Sequence, residues 1–113
     1  MNEEKYEIAF QVIMNAGNSK SSSMMAIEAA REFEFEEAEK YIKEAEKELR
    51  EAHHSQTELI KQESIGKGVD VNIILVHSQD HLTMAITAKD QAEEFLNMYR
   101  MIKELKDQIE KIK

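Results

Sequence analysis

The sequence has no cysteine, no proline and no tryptophan, and its 113 residues include three glycines, three tyrosines and four phenylalanines. Without cysteine there is no disulfide framework and no thiol nucleophile, which suits a cytosolic protein. Without proline, and with β-branched and aromatic residues sparse, the composition favours long helices over a sheet. Basic residues are in deficit, 15 Lys and Arg against 23 Asp and Glu, for a net charge of −8. That balance disfavours nucleic acid or an anionic membrane as a partner, since either would repel it. The opening MNEEKYEIAF is acidic and has no long apolar run, so it reads as neither a signal peptide nor a membrane span. The expectation is a soluble cytoplasmic protein.

What the chain does contain is charge, 34% of its residues, laid over three apolar stripes at helical spacing. In the first, Ile8, Val12, Ala16, Ser19, Ser23, Ala26 or Ile27 and Ala30 stay in phase through Gly17, which predicts one helix over 3–32. In the second, over 35–63, Ala38, Ile42, Ala45, Leu49, Ala52, Gln56 and Leu59 form a seam beneath a solvated Glu/Lys face. The third, over 71–111, runs through Ile74, His77, Asp80 or His81, Met84, Ala88, Gln91, Phe95, Met98, Ile102, Leu105 and Ile109. The joints are EFEF near residue 33 and SIGKGVD at 64–70, where two glycines suit a helix stop and Asp70 is the expected N-cap. Short joints make neighbouring helices antiparallel. The expected architecture is all-α: one domain over 1–113, folded as an up-down-up three-helix hairpin. So small a protomer buries little, so oligomerisation is expected.

Polar residues interrupt these stripes. ILVHSQDHLTM, residues 74–84, places His77, Asp80 and His81 inside an otherwise apolar run. Spaced i,i+4, the two imidazoles leave one helix face together, which suits a metal site or one acting histidine supported by the other. The blander alternative is a satisfied or exposed histidine pair. A carboxylate in a seam needs a counter-ion or a raised pKa. In a cyclic oligomer, several Asp80 side chains would meet at the axis, where Mg²⁺ or Ca²⁺ could neutralise them. Alternatively, Asp80 simply faces solvent. On the second helix, EAHHSQTELI puts Gln56 in the seam with His53 and His54 beside it; packing specificity is the commoner role for a buried amide. No serine–histidine–acid set is discernible, and MNAGNSKSS lacks the spacing of a phosphate loop. A neutral imidazole can itself accept a phosphoryl group, and one already carried on another protein needs no nucleotide loop. From the residues alone, a di-histidine metal site, a phosphoryl relay and a structural or interaction module all stay open.

Three stretches in order nevertheless resemble one family. MNAGNSKSSSMMAIEAA, FEEAEKYIKEAEKELREAHHSQTELI with its AH-x-x-QT signature, and LVHSQDHLTMAITAKD are similar to the lactose/cellobiose-type enzyme IIA components of the bacterial phosphoenolpyruvate-dependent sugar phosphotransferase system. The third is the most specific; MIKELKDQIEKIK, past Arg100, lies largely outside the resemblance. The resemblance implies a phosphoryl carrier for uptake of a disaccharide of the cellobiose/lactose type. His77 would take the phosphoryl group from the carrier protein HPr and pass it to a cysteine of the cognate enzyme IIB. It also implies a homotrimeric nine-helix bundle, with Asp80 at the axis and a divalent metal, expected to be Mg²⁺, between its copies. Gln79 and His81 would support His77, and His53 and Gln56 would stand nearby. Two positions depart from the family pattern. Phe33-Glu34 replaces a Gly-Asp turn, removing the easy route to positive φ, and Ser78 stands where alanine is usual.

Overall fold

The computed structural model describes residues 3–68 and 70–113. They form three helices, α1 (Glu3–Arg31), α2 (Phe35–Ser64) and α3 (Ile73–Ile112), with no strand among the described residues. The bundle is a rod of 70 × 20 × 20 Å, and α3, with 40 residues, spans most of it at 1.5 Å per residue. α1 runs unbroken through Gly17 and packs along both other helices. Contacts fix the chain directions. Gln56 meets Gln79 and Glu39 meets Arg100, so α2 and α3 run antiparallel. Val12 and Ala16 pack with Leu82 and Ala85, and Ala26 and Ala30 with Ala92 and Leu96, so α1 and α3 run parallel.

The core is built from small side chains. α1 contributes Ala9, Val12, Ala16, Ser19, Ser23, Ala26, Ala29 and Ala30; Val12 is the largest side chain among the described residues to be almost wholly buried. Small residues let helices approach closely, and the Ser19 hydroxyl uses that proximity to donate to the Ala45 carbonyl of α2 at 2.7 Å. The seam expected on α2 is buried from Ala38 to Ala52. On α3 the expectation was inverted. Its inward face is Ser78, Leu82, Ala85, Ala92 and Leu96, whereas Met84, Phe95, Met98, Ile102, Leu105 and Ile109, read as a seam, are exposed. The two faces share the helical period, and an alanine-lined α1 is best matched by the smaller one. The larger apolar stripe is left pointing outward.

Both corners close with the same hydrogen-bond pattern. At the end of α2, Gly66 N–H donates to Glu63 O and Lys67 N–H to Gln62 O, with Gly66 at φ 79°. At the end of α1, Phe33 N–H donates to Ala30 O and Glu34 N–H to Ala29 O, with Phe33 at φ 63°. These are the paired bonds of a Schellman turn, whose left-handed position is normally glycine. Phe33 takes it despite its Cβ, and its ring has compensating neighbours. Phe35 lies 6.0 Å away between centroids, and the Lys106 and Lys103 ammonium groups stand 5.4 and 6.0 Å from the ring centre. Beside this corner Arg100 bonds Glu39 and covers the Phe35 ring, holding the Glu39 carboxyl below its usual range chiefly through that hydrogen bond.

At the opposite corner, the N-cap of α3 is Asn72 rather than the expected Asp70. Asn72 has extended backbone and its Oδ1 accepts from Leu75 N–H at 3.0 Å. Asp70 lies two residues too early for that bond, and offers its backbone carbonyl to the Asn72 amide.

Candidate functional site

The histidines sit one turn inside α3. The Asn72 cap fixes where the helix begins, and so the direction in which residue 77 leaves it. Ser78, wholly buried against the core, donates its hydroxyl to Leu75 O at 2.7 Å. Turning residue 78 inward turns residue 77 outward: His77 is exposed and His81, one turn on, is half-buried. Their Nε2 atoms are 3.0 Å apart, with ring centroids at 4.4 Å and ring planes at right angles. At that distance one nitrogen donates and the other accepts. With the proton on His81 Nε2, His77 Nε2 is the unprotonated acceptor, and its lone pair becomes available when that hydrogen bond opens.

Gln56 and Gln79 come together on the inner side of the same turn. Each amide nitrogen donates to the other's oxygen, both at 2.5 Å, so the pair ties α2 to α3. Gln79, two residues from His77, leaves the helix on a different side and is committed to α2. Beside the pair lies a cleft lined by Gln56, Leu59, Ile60, Glu63, Val71, Leu75 and Gln79. Ile60, Val71, Ile73 and Val76 form an exposed aliphatic rim at this end of the rod. Nearby, Ile74 is half-buried and Met84 exposed.

Not every expected site residue gathers here. His53 and His54 are exposed on α2 and take part in neither pair. Asp80 is exposed on the outward stripe of α3, between the histidine end and Met84. No group of three or more His, Cys, Asp or Glu side chains among the described residues could hold a metal. A single Asp80 carboxylate offers Mg²⁺ one protein ligand, with water left to complete its octahedron. Sequence reasoning missed the Asn72 cap and the Val71–Ile73–Val76 rim. The signal for the first was an Asn three residues before Leu75, and for the second a β-branched cluster too close to a turn to be core.

Comparison with known proteins follows the same residues. Residues 7–100 match the family model of the lactose/cellobiose-specific IIA subunit of the sugar phosphotransferase system. The lichenan-specific phosphotransferase enzyme IIA component of Bacillus subtilis is 47% identical over 104 residues, covering 92% of this chain and 94% of that one. The cellobiose-specific IIA component of Lactococcus lactis is 39% identical, covering 88% and 86%. The crystal structure of the cellobiose-specific enzyme IIA from Bacillus anthracis superposes with a TM-score of 0.87 at 39% identity, covering 91% of this chain and 94% of that one.

Proposed function

The chain belongs to the lactose/cellobiose-specific IIA subunits of the sugar phosphotransferase system, and on that premise we propose that it carries phosphoryl groups on His77, from HPr to a cysteine of its enzyme IIB. The observation that carries this reading is the exposed His77 with its Nε2 3.0 Å from that of His81.

In the forward step the hydrogen bond from His81 opens and the lone pair of His77 Nε2 attacks the phosphorus held on HPr. An N–P bond forms at His77 while the bond to HPr breaks and its electron pair returns to HPr. The transition state is loose, so positioning and charge stabilisation do most of the work. His81 supplies both: as Nε2–H donor it leaves the attacking nitrogen unprotonated, and after transfer it stands beside the phosphoryl oxygens. The Gln56–Gln79 pair acts one step back, fixing the turn that carries both imidazoles. In the return step the enzyme IIB thiolate attacks phosphorus and the N–P electron pair returns to His77. The rim of Ile60, Val71, Ile73 and Val76 supplies apolar surface for each partner in turn. The transported sugar, a disaccharide of the cellobiose/lactose type, never meets this subunit.

The working form is a homotrimer. Its support is the outward stripe of α3, whose Phe95, Met98, Ile102 and Leu105 no protomer can bury alone. Three copies of Asp80 on that stripe would converge, and their oxygen donors suit Mg²⁺, which would neutralise them. The protein works in the cytoplasm, where its partners present their phosphoryl groups; no described helix is long and apolar enough to cross a membrane.

Incubation with phosphoenolpyruvate, enzyme I and HPr should label the protein with acid-labile phosphate and, on adding enzyme IIB, move the label onward. His77→Ala should take none. A His77→Ala variant labelled as well as wild type ends the assignment.

A further inference from the structure

The His77–His81 geometry fits a second ligand. A first-row divalent ion holds an imidazole nitrogen at about 2.0–2.1 Å. Two nitrogens as far apart as these Nε2 atoms, 3.0 Å, subtend roughly 91–97° at such an ion. That is the angle between neighbouring ligands in square-planar or octahedral coordination, which Cu²⁺ and Ni²⁺ favour. Tetrahedral Zn²⁺ needs the pair opened to roughly 3.3 Å. The i,i+4 spacing already places both nitrogens on one side of the helix. A chelate needs each ring to turn about its Cβ–Cγ bond until both lone pairs face one ion, with the two nitrogens still roughly 3 Å apart.

We propose that His77 and His81 form a bidentate chelate for Cu²⁺ or Ni²⁺, with Zn²⁺ weaker, and that a metal held there blocks phosphoryl acceptance. With no third His, Cys, Asp or Glu grouped with the pair among the described residues, water fills the remaining positions and the ion stays exchangeable. The reaction balances without redox change or net proton release. His81 moves its ring proton from Nε2 to Nδ1, and both Nε2 lone pairs pass to the ion. The lone pair that would attack phosphorus is then occupied. Mg²⁺, which prefers oxygen ligands, has no purchase here, so this site is separate from Asp80. The tandem His53–His54 pair does not compete, because adjacent residues leave a helix about 100° apart.

The chelate stands on geometry alone; the blocking rests on the phosphoryl-carrier reading. Ni²⁺ titration of the full chain by calorimetry should find one site per protomer. His77→Ala and His81→Ala should each weaken it by at least about tenfold, while the double variant His53→Ala/His54→Ala retains it. Wild-type affinity in either single variant, or loss in the double, overturns the chelate. In a second arm, preformed phospho-HPr is mixed with protein at graded Ni²⁺ occupancy. Labelling should slow in step with occupancy and recover with EDTA; full speed at saturation overturns the blocking. A metal-free wild type that takes no label overturns the carrier reading and the blocking with it, while calorimetry still judges the chelate.

Discussion

Two serines one turn apart on α1 show how finely a small-residue core is balanced. Ser19 and Ser23 are both wholly buried, but Ser19 donates to Ala45 O whereas Ser23 Oγ finds no hydrogen-bond partner among the described residues. A buried hydroxyl without a partner costs about 1–3 kcal/mol, and a satisfied one contributes about 1 kcal/mol. Ser23→Ala should therefore stabilise the protein and Ser19→Ala destabilise it, each by about 1 kcal/mol. Urea unfolding at fixed protein concentration separates them; the same sign for both would contradict this reading. The i,i+4 spacing of His77 and His81 was legible in the sequence, because helical period fixes which side chains share a face. That Gln56 and Gln79 bond each other was not. Each residue has a recognisable place in its own helix, but the pairing depends on how two helices meet.

At the scale of the element, the α1–α2 corner sets backbone geometry against side-chain contact. Phe33 occupies a left-handed position and has Phe35, Lys103 and Lys106 about its ring. Phe33→Ala loses the ring and keeps a Cβ at positive φ, whereas Phe33→Gly loses the ring and relieves the backbone. The glycine variant should be the more stable of the two by about 1 kcal/mol, measured by urea unfolding. Equal stabilities would mean that Phe33 carries no backbone strain. Loss of the family glycine put this geometry in question from sequence alone. The structure answers that the left-handed turn is kept, because the Schellman hydrogen bonds and the ring contacts hold it. The inverted reading of α3 has a similar origin. Two stripes on one helix share a period, and periodicity cannot say which is inward until the size of the facing side chains is known.

For the whole molecule, the outward stripe of α3 and the −8 net charge work against each other. In the proposed trimer the stripe would draw copies together, and Asp80 at its histidine end would resist. Replacing buried charge by apolar packing is often neutral or stabilising by roughly 1–4 kcal/mol. Asp80→Leu should therefore keep or tighten the trimer and remove its response to Mg²⁺. Sedimentation velocity across a concentration series checks this, and complete dissociation of the variant would count against an axial Asp80. A small core in each protomer and a large exposed stripe are one design on this reading, since the interface supplies the burial that the hairpin lacks.

The proposed function rests on a single nitrogen, and that is where the most direct measurement falls. After phosphorylation through enzyme I and HPr, peptide mapping combined with ³¹P NMR reports both the residue and the ring atom that carry the phosphoryl group. The expected result is one phosphoryl group per protomer, on Nε2 of His77. A label on His81, His53, His54 or any non-histidine residue would contradict it.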